Sequence, residues 1–276
     1  MTWDFETDPE LQEQLDWVDQ FVRDEVEPLD FVLANPYDKS DAAAMAIVRP
    51  LQRLVRERHL WACHLGPDLG GQGCGQLKLA LLNEVIGRSR WAPTVFGCQA
   101  PDSGNAEILA HYGTDEQKAK YLQPLLDGEI SSCYSMTEPH AGADPTLFTA
   151  AAERDGDEWV INGEKWFSTN ARYASFVIVM AMTNTDVGAY EGMSMFIVPS
   201  GTPGLTILRN VGVGGEAEGD GSHAHFALRQ RPSSGRPPAR EGRRRVRDRP
   251  DPLGRWAHPP RDAHDRSAPQ GVRRDV

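Results

Sequence analysis

The chain has 276 residues, four cysteines and a net charge of -11, enough length for one large domain or two smaller ones with real cores. The average charge conceals a split: residues 1–225 carry 15 Lys and Arg against 34 Asp and Glu, whereas residues 226–276 carry 14 Arg, no Lys and six acids. Cys63, Cys74, Cys98 and Cys133 lie far apart with no Cys-x-x-Cys pair, which argues against a zinc knuckle, a redox dithiol or a disulfide framework.

The acidic opening Met1-Thr2-Trp3-Asp4-Phe5-Glu6 lacks the basic and apolar regions of a secretory signal. The longest strictly apolar run, residues 176–182, is far too short to span a bilayer, so a cytoplasmic protein is expected. Residues 8–34 read as an amphipathic helix, with Asp8 as N-cap, Pro9 at the first position and Leu11, Leu15, Val18, Val22, Val26 and Leu29 on one face. Pro28 is expected to kink or end it. Further helices fit 41–60 (interrupted by Pro50), 76–88 and 103–112, and Thr114-Asp115-Glu116-Gln117 opens another with a Thr-x-x-Gln capping box, running to Pro124.

From Ile130 the periodicity becomes strand-like. Residues 147–153 and 158–162 flank Arg154-Asp155-Gly156-Asp157, whose Asp-Gly pair signals a hairpin, and strands also fit 176–182, 193–198 and 205–209. The expected architecture is α+β. A helical domain over 1–128 precedes a β-domain over 129–225, an antiparallel barrel or sandwich, followed by a disordered Arg/Pro-rich tail over 226–276. Three readings suit that tail: a basic polyanion-binding arm, a solvated tail, or the product of a reading frame lost near His225. Its eight prolines and 14 arginines, with no Ile, Met, Tyr, Asn, Cys or Lys, favour the last, and the scarcity of interleaved aromatics ranks nucleic-acid binding lowest.

Two segments carry chemistry. In Tyr134-Ser135-Met136-Thr137-Glu138-Pro139-His140-Ala141-Gly142-Ala143-Asp144, Thr137 offers a hydroxyl to a cofactor ring, Pro139 stiffens the loop, Gly142 permits close backbone approach, and Glu138 reads as structural. Lys165-Trp166-Phe167-Ser168-Thr169-Asn170 sets two aromatics, suited to stacking on a flat ring, beside two hydroxyls. Residues 65–75 are glycine-rich but lack the Gly-Lys-Ser/Thr ending of a phosphate loop, and residues 212–217 fit a loose dinucleotide pattern that no helix follows. His59, His64 and His111 lack metal-ligand spacing, so no metal is expected.

The first segment resembles the flavin loop of the acyl-CoA dehydrogenases, aromatic-x-x-Thr-Glu-Pro-x-Ala-Gly-Ser-Asp. The second resembles that family's Lys-x-Trp-Ile-Thr-Asn motif and follows at a family-like distance. The resemblance covers residues 8–225. It implies FAD as cofactor, held by Tyr134, Met136, Thr137, Gly142, Ala143, Phe167, Ser168 and Thr169. Phe167 takes the place of the family Trp, Ala143 that of a Ser contacting phosphate or acyl-CoA, and His140 that of a Gly. Gln99 and Ala143 are implied at the acyl-CoA, with residues 99–105 opening a helix along the acyl pocket.

The implied reaction removes a proton from the carbon next to the thioester and passes a hydride from the next carbon to FAD. Electrons then go to an electron-transfer flavoprotein. In the family the base is a Glu of a C-terminal helical domain that also helps form the oligomer interface. No acid after residue 225 sits in such a context, so no catalytic residue is assigned and a truncated, weakly active or inactive dehydrogenase is expected. The alternative is a non-catalytic flavin- or acyl-CoA-binding partner of a full-length homologue.

Overall fold

A computed structural model describes residues 6–142, 144–156, 158–214 and 222–229. Ala143, and the expected tail beyond residue 229, lie outside these residues. Helix α1 (Pro9–Phe21) starts as the sequence requires, the Asp8 carboxylate accepting the Leu11 N–H at 2.9 Å. It continues as a π-turn, Val22–Val26, then Pro28, then α2 (Leu29–Val32). The Glu27 N–H reaches back five residues to the Val22 carbonyl. A wider turn directly ahead of Pro28 makes room for a ring that would otherwise press on the carbonyl four residues back.

The device recurs. After α3 (Ala42–Glu57), α4 (Gly75–Ile86), α5 (Ala92–Val95) and α6 (Asp102–Tyr112), α7 (Asp115–Gln117) opens with the expected capping box of Thr114 and Gln117. A π-turn, Lys118–Leu122, then leads into α8 (Gln123–Leu126), so the helical path passes Pro124 instead of ending there. Pro50 is likewise carried inside α3. Val18, Val22, Val48, Val55, Trp91, Val95 and Phe96 are buried together as the helical core. No helix among the described residues is long and apolar enough to cross a membrane.

Seven strands follow among the described residues: β1 (Ser132–Ser135), β2 (Ala151–Asp155), β3 (Glu158–Thr169), β4 (Phe176–Met182), β5 (Met193–Pro199), β6 (Leu205–Val211) and β7 (His223–Leu228). β2 and β3 form the expected hairpin, with Gly156 at φ 65 in the turn. The sheet order is β1-β4-β2-β3-β7-β6, with β5 on β4. The sheet is mixed where an antiparallel one was expected: β1 runs parallel to β4 along Ser132↔Phe176 to Ser135↔Val179. Such a pair needs a long crossover, here one that contains the β2–β3 hairpin, and local turn signals do not reveal it. A short helix, α9 (Ala189–Gly192), precedes β5.

β4 explains its own uninterrupted apolar run. Phe176, Ile178 and Met180 pack with Leu109 and Leu125 of the helical layer, while Val177, Val179 and Ala181 pack with Phe196, Val198 and Phe226 on the other face. A strand buried on both faces has no polar side to alternate. β7 corrects the boundary expected after residue 225. Phe226, Ala227 and Leu228 are buried and pair with β3 and β6, so the sheet continues through Leu228. Three apolar residues heading an Arg/Pro-rich stretch were absorbed into its composition.

Candidate flavin-binding site

Both chemistry-bearing segments lie on adjoining elements. Tyr134 and Ser135 end β1, and the loop from Met136 turns back through an isolated bridge in which the Gly142 N–H donates to the Glu138 carbonyl at 3.0 Å. Gly142 has φ 59 with no heavy atom within 4 Å of where a Cβ would stand, so glycine is needed for the backbone and not for space. The second segment occupies the far end of β3.

Four tiers of contacts fasten the two together. The Asn170 amide donates to the Ser132 carbonyl at 3.1 Å, and the Ser168 and Ser135 hydroxyls share a hydrogen bond of 2.7 Å. The Trp166 N–H donates to the Thr137 carbonyl at 2.8 Å. Deepest is Lys165, fully buried, whose ammonium donates to the Met136 carbonyl at 2.8 Å and to Glu138 Oε1 at 3.0 Å. Glu138, buried as well, accepts the backbone N–H groups of Thr149 at 2.7 Å and Ala150 at 2.9 Å. Burial alone would raise Glu138, but those donors and the Lys165 charge outweigh it and hold the carboxyl below its usual range. Burial lowers Lys165, with Glu138 opposing. The structural role read for Glu138 is thus an ion pair under the loop.

Above this base sits an aromatic rack. Lys165 and Ser168 both point inward although three residues apart, because the β3–β7 register shifts between them at a bulge. Phe167 occupies the bulge at φ 51, a left-handed conformation costly for an aromatic residue, and is 48% exposed. Trp166 stacks on Phe167 at 5.6 Å and on His225 at 5.2 Å, with the Arg209 guanidinium 5.2 Å from its ring. Phe167 meets His223 edge-on at 6.1 Å. The Trp166 indole N–H is buried without a partner among the described residues. His225 accepts or donates at 3.0 Å to Glu164, which also pairs with Arg229; burial and Arg209 push His225 down.

The expected ligand residues therefore separate. Phe167 is exposed, Thr137 and Thr169 are half-buried, and Gly142 has open space where a Cβ would stand. Tyr134 is half-buried at the edge of β1, its phenol raised by burial. Ser168 is a correction: it is fully buried and its hydroxyl is spent on Ser135, so its side chain cannot reach a ligand. The bulge that turns Phe167 out is what turns Ser168 in. Gln99 stands elsewhere, in a cavity of about 770 Å³ between the helical layer and the sheet, with Tyr37, Arg90, Arg172, Tyr173 and Ser222. His223, His225 and Arg209 were missed; their signal was the alternation His223-Ala224-His225 beside an aromatic pair.

The buried indole N–H, the exposed left-handed Phe167 and the uncovered Gly142 fit a flat, polar-edged ring such as the flavin. Residues 8–129 match the family model "Acyl-CoA dehydrogenase, N-terminal domain", and residues 133–226 match "Acyl-CoA dehydrogenase, middle domain". "Acyl-CoA dehydrogenase family member 11" of Gallus gallus is 40% identical over 227 residues, covering 78% of this chain and 29% of the relative. "Probable acyl-CoA dehydrogenase FadE2" of Mycobacterium tuberculosis is 41% identical over 180 residues, covering 64% of this chain and 44% of the relative. The chain thus spans less than half the length of either curated relative. A solved Mycobacterium abscessus structure named for an acyl-CoA dehydrogenase is 36% identical with a TM-score of 0.71, covering 81% of this chain and 58% of that one. The FAD complex of PigA, 23% identical with a TM-score of 0.65, covers 82% of this chain and 57% of its own and shares the fold. Matched in both its helical and its sheet portion, the chain belongs to the acyl-CoA dehydrogenase family, whose N-terminal and middle domains it carries.

Proposed function

We propose that this chain supplies the flavin-cradling part of an FAD-dependent acyl-CoA dehydrogenase, oxidising an acyl-CoA thioester between its α- and β-carbons and passing the electrons to an electron-transfer flavoprotein. The observation that carries this reading is the rack itself: an aromatic held in a strained conformation, beside two threonine hydroxyls that have no hydrogen-bond partner among the described residues, with a buried ion pair tying the two segments. When bound, FAD supplies the acceptor for the hydride.

This chain's own residues bind and orient. Phe167 and Trp166 offer stacking surface, Thr137 and Thr169 offer donors to the ring edge, and the Met136 carbonyl is fixed by Lys165. Glu138 and Glu164 are both committed, to Lys165 and to His225 with Arg229, so neither is free to take the substrate proton. The family resemblance gives that step to a carboxylate outside the matched residues. Gln99 and its cavity are the place for the acyl portion in this reading, and Ala143, outside the described residues, would offer backbone alone.

The test is an FAD titration of the purified chain, followed by flavin fluorescence and visible absorption, with Phe167→Gly alongside. Loss of one aromatic stack, roughly 0.5–1.5 kcal/mol, predicts two- to about tenfold weaker FAD binding. The variant should melt no lower than the parent, since glycine suits φ 51 and the lost side chain is half exposed. A folded parent chain that binds no FAD, or equal affinity in the variant, would overturn the assignment.

A further inference from the structure

The cavity that holds Gln99 is lined unlike a pocket for a plain alkyl chain. The helical layer contributes Tyr37, Arg90 and Gln99 to it, and the sheet layer Arg172, Tyr173 and Ser222, around a volume of about 770 Å³. Its aliphatic lining is limited to an alanine and two prolines. A saturated acyl chain gains affinity by leaving water for apolar walls, which this lining scarcely offers. No carboxylate lines the cavity among the described residues, although residues 1–225 carry 34 acids against 15 basic residues. Two arginines without an acid make a positive inlet in an acidic chain.

The surroundings leave the charge of Arg90 for a ligand. Its guanidinium donates to the Asp30 carbonyl at 2.8 Å, a neutral acceptor. The Asp30 carboxylate is taken up instead by the Ser89 hydroxyl at 3.0 Å and the Arg90 backbone N–H at 3.2 Å. The Arg172 guanidinium lies 5.6 Å from the Tyr173 ring, and both arginines are exposed. The cavity also adjoins the aromatic rack. The Asn170 N–H donates to the Ser222 carbonyl at 2.8 Å, and the Asn170 carbonyl accepts the Tyr173 N–H at 3.0 Å. The residues that close the second segment thus wall the cavity as well. Ser222 and His223 share a side-chain hydrogen bond of 3.0 Å, and His223 meets Phe167 edge-on.

We propose that the cavity takes an anionic end of the acyl chain, so that the thioesters this chain favours carry a terminal carboxylate bound by Arg90 and Arg172. This rests on the reading of the cavity as the place for the acyl portion. A carboxylate arriving there exchanges water for guanidinium donors whose planar fork matches its two oxygens. A methyl end would strip water from the same guanidinium groups and return no hydrogen bond, which is a penalty as well as a missing gain.

The test compares adipoyl-CoA with hexanoyl-CoA, equal in chain length and different in the terminal carboxylate. Isothermal titration calorimetry on the full chain reads both affinities, with FAD titrated in parallel. Adipoyl-CoA should bind on the order of tenfold tighter, the return of at least one charge-assisted hydrogen bond. Arg90→Met and Arg172→Met should each bring the ratio of the two affinities toward one. Arg172 is exposed, so its variant keeps the test decisive if loss of the Arg90–Asp30 contact unfolds the other. Equal affinities, or no binding of either thioester, beside intact FAD binding would overturn this inference and leave the flavin assignment standing. Arginine variants that weaken both thioesters by the same factor would also sink it, because the arginines would then be reading the phosphates common to both. A folded chain that binds neither FAD nor thioester would remove the proposed function and this inference together.

Discussion

Replacing Lys165 by Met keeps most of the buried stem and removes only the ammonium. The Met136 carbonyl then loses its 2.8 Å donor and the Glu138 carboxylate the buried ammonium that donates to it at 3.0 Å. Removing one member of a buried pair costs about 3–5 kcal/mol, because the survivor is left charged and uncompensated. Glu138 would still hold the backbone N–H groups of Thr149 and Ala150, which places the cost near the lower end, about 3 kcal/mol. For a protein of this size 1 kcal/mol moves Tm by about 2–4 °C, so the expected fall is about 6–12 °C. Glu138→Gln leaves a lysine that can shed its proton and should cost less, about 1–3 kcal/mol. The double variant should cost less than the two singles together, by about 1–3 kcal/mol. Urea and thermal unfolding followed by circular dichroism read all four corners of the cycle. Additivity within about 0.5 kcal/mol, or a Tm loss under about 2 °C in Lys165→Met, would refute the ion pair as the tie between the two segments.

Two further outcomes follow from the same structure. Phe226→Ala should cost about 3–5 kcal/mol in urea unfolding, since the ring is fully buried against β4 and β5, whereas the exposed Arg229→Ala should change stability by less than about 0.5 kcal/mol; equal effects would place β7 outside the folded unit. Glu138 is held below the ordinary glutamate value of 4.5, so its contribution is complete above that pH and is lost as pH falls through its depressed folded value. Asp102, raised by burial against the opposing influence of Lys39 and Ser132, contributes in the opposite sense, gaining stability as pH falls through its raised folded value. Thermal melts between pH 3 and 7 should therefore show an acid loss that Glu138→Gln reduces; an unchanged acid slope in that variant would contradict the assignment.

The legible parts of this protein are those written within a few residues of one another. Asp8 with Pro9, Thr114 with Gln117, and Asp155 with Gly156 each announce an element boundary through a contact made inside a single turn. The two chemistry-bearing segments could be read because their residue types repeat a known arrangement. The illegible parts are relations between distant positions. Lys165 pairs with Glu138 across 27 residues, and β1 finds β4 across a crossover. The bulge at Phe167 is hardest of all. Strand alternation predicts Ser168 opposite Phe167, but only the inserted residue explains why Lys165 and Ser168 face the same way. At the two prolines the missing information was a local change of helix type, which residue periodicity does not encode.

The long strand β3 draws its second neighbour, β7, from about 60 residues further along the chain: Glu164 pairs with Ala227 and Lys165 with Phe226. During synthesis at about 5–20 residues per second, that edge of β3 waits some 3–12 seconds for its partner to emerge. The waiting edge includes the Trp166-Phe167 bulge, which twists it and breaks the regular row of donors and acceptors that a neighbouring nascent chain could join. The same irregularity that presents an aromatic ring to a ligand thereby guards the unfinished sheet against the wrong strand.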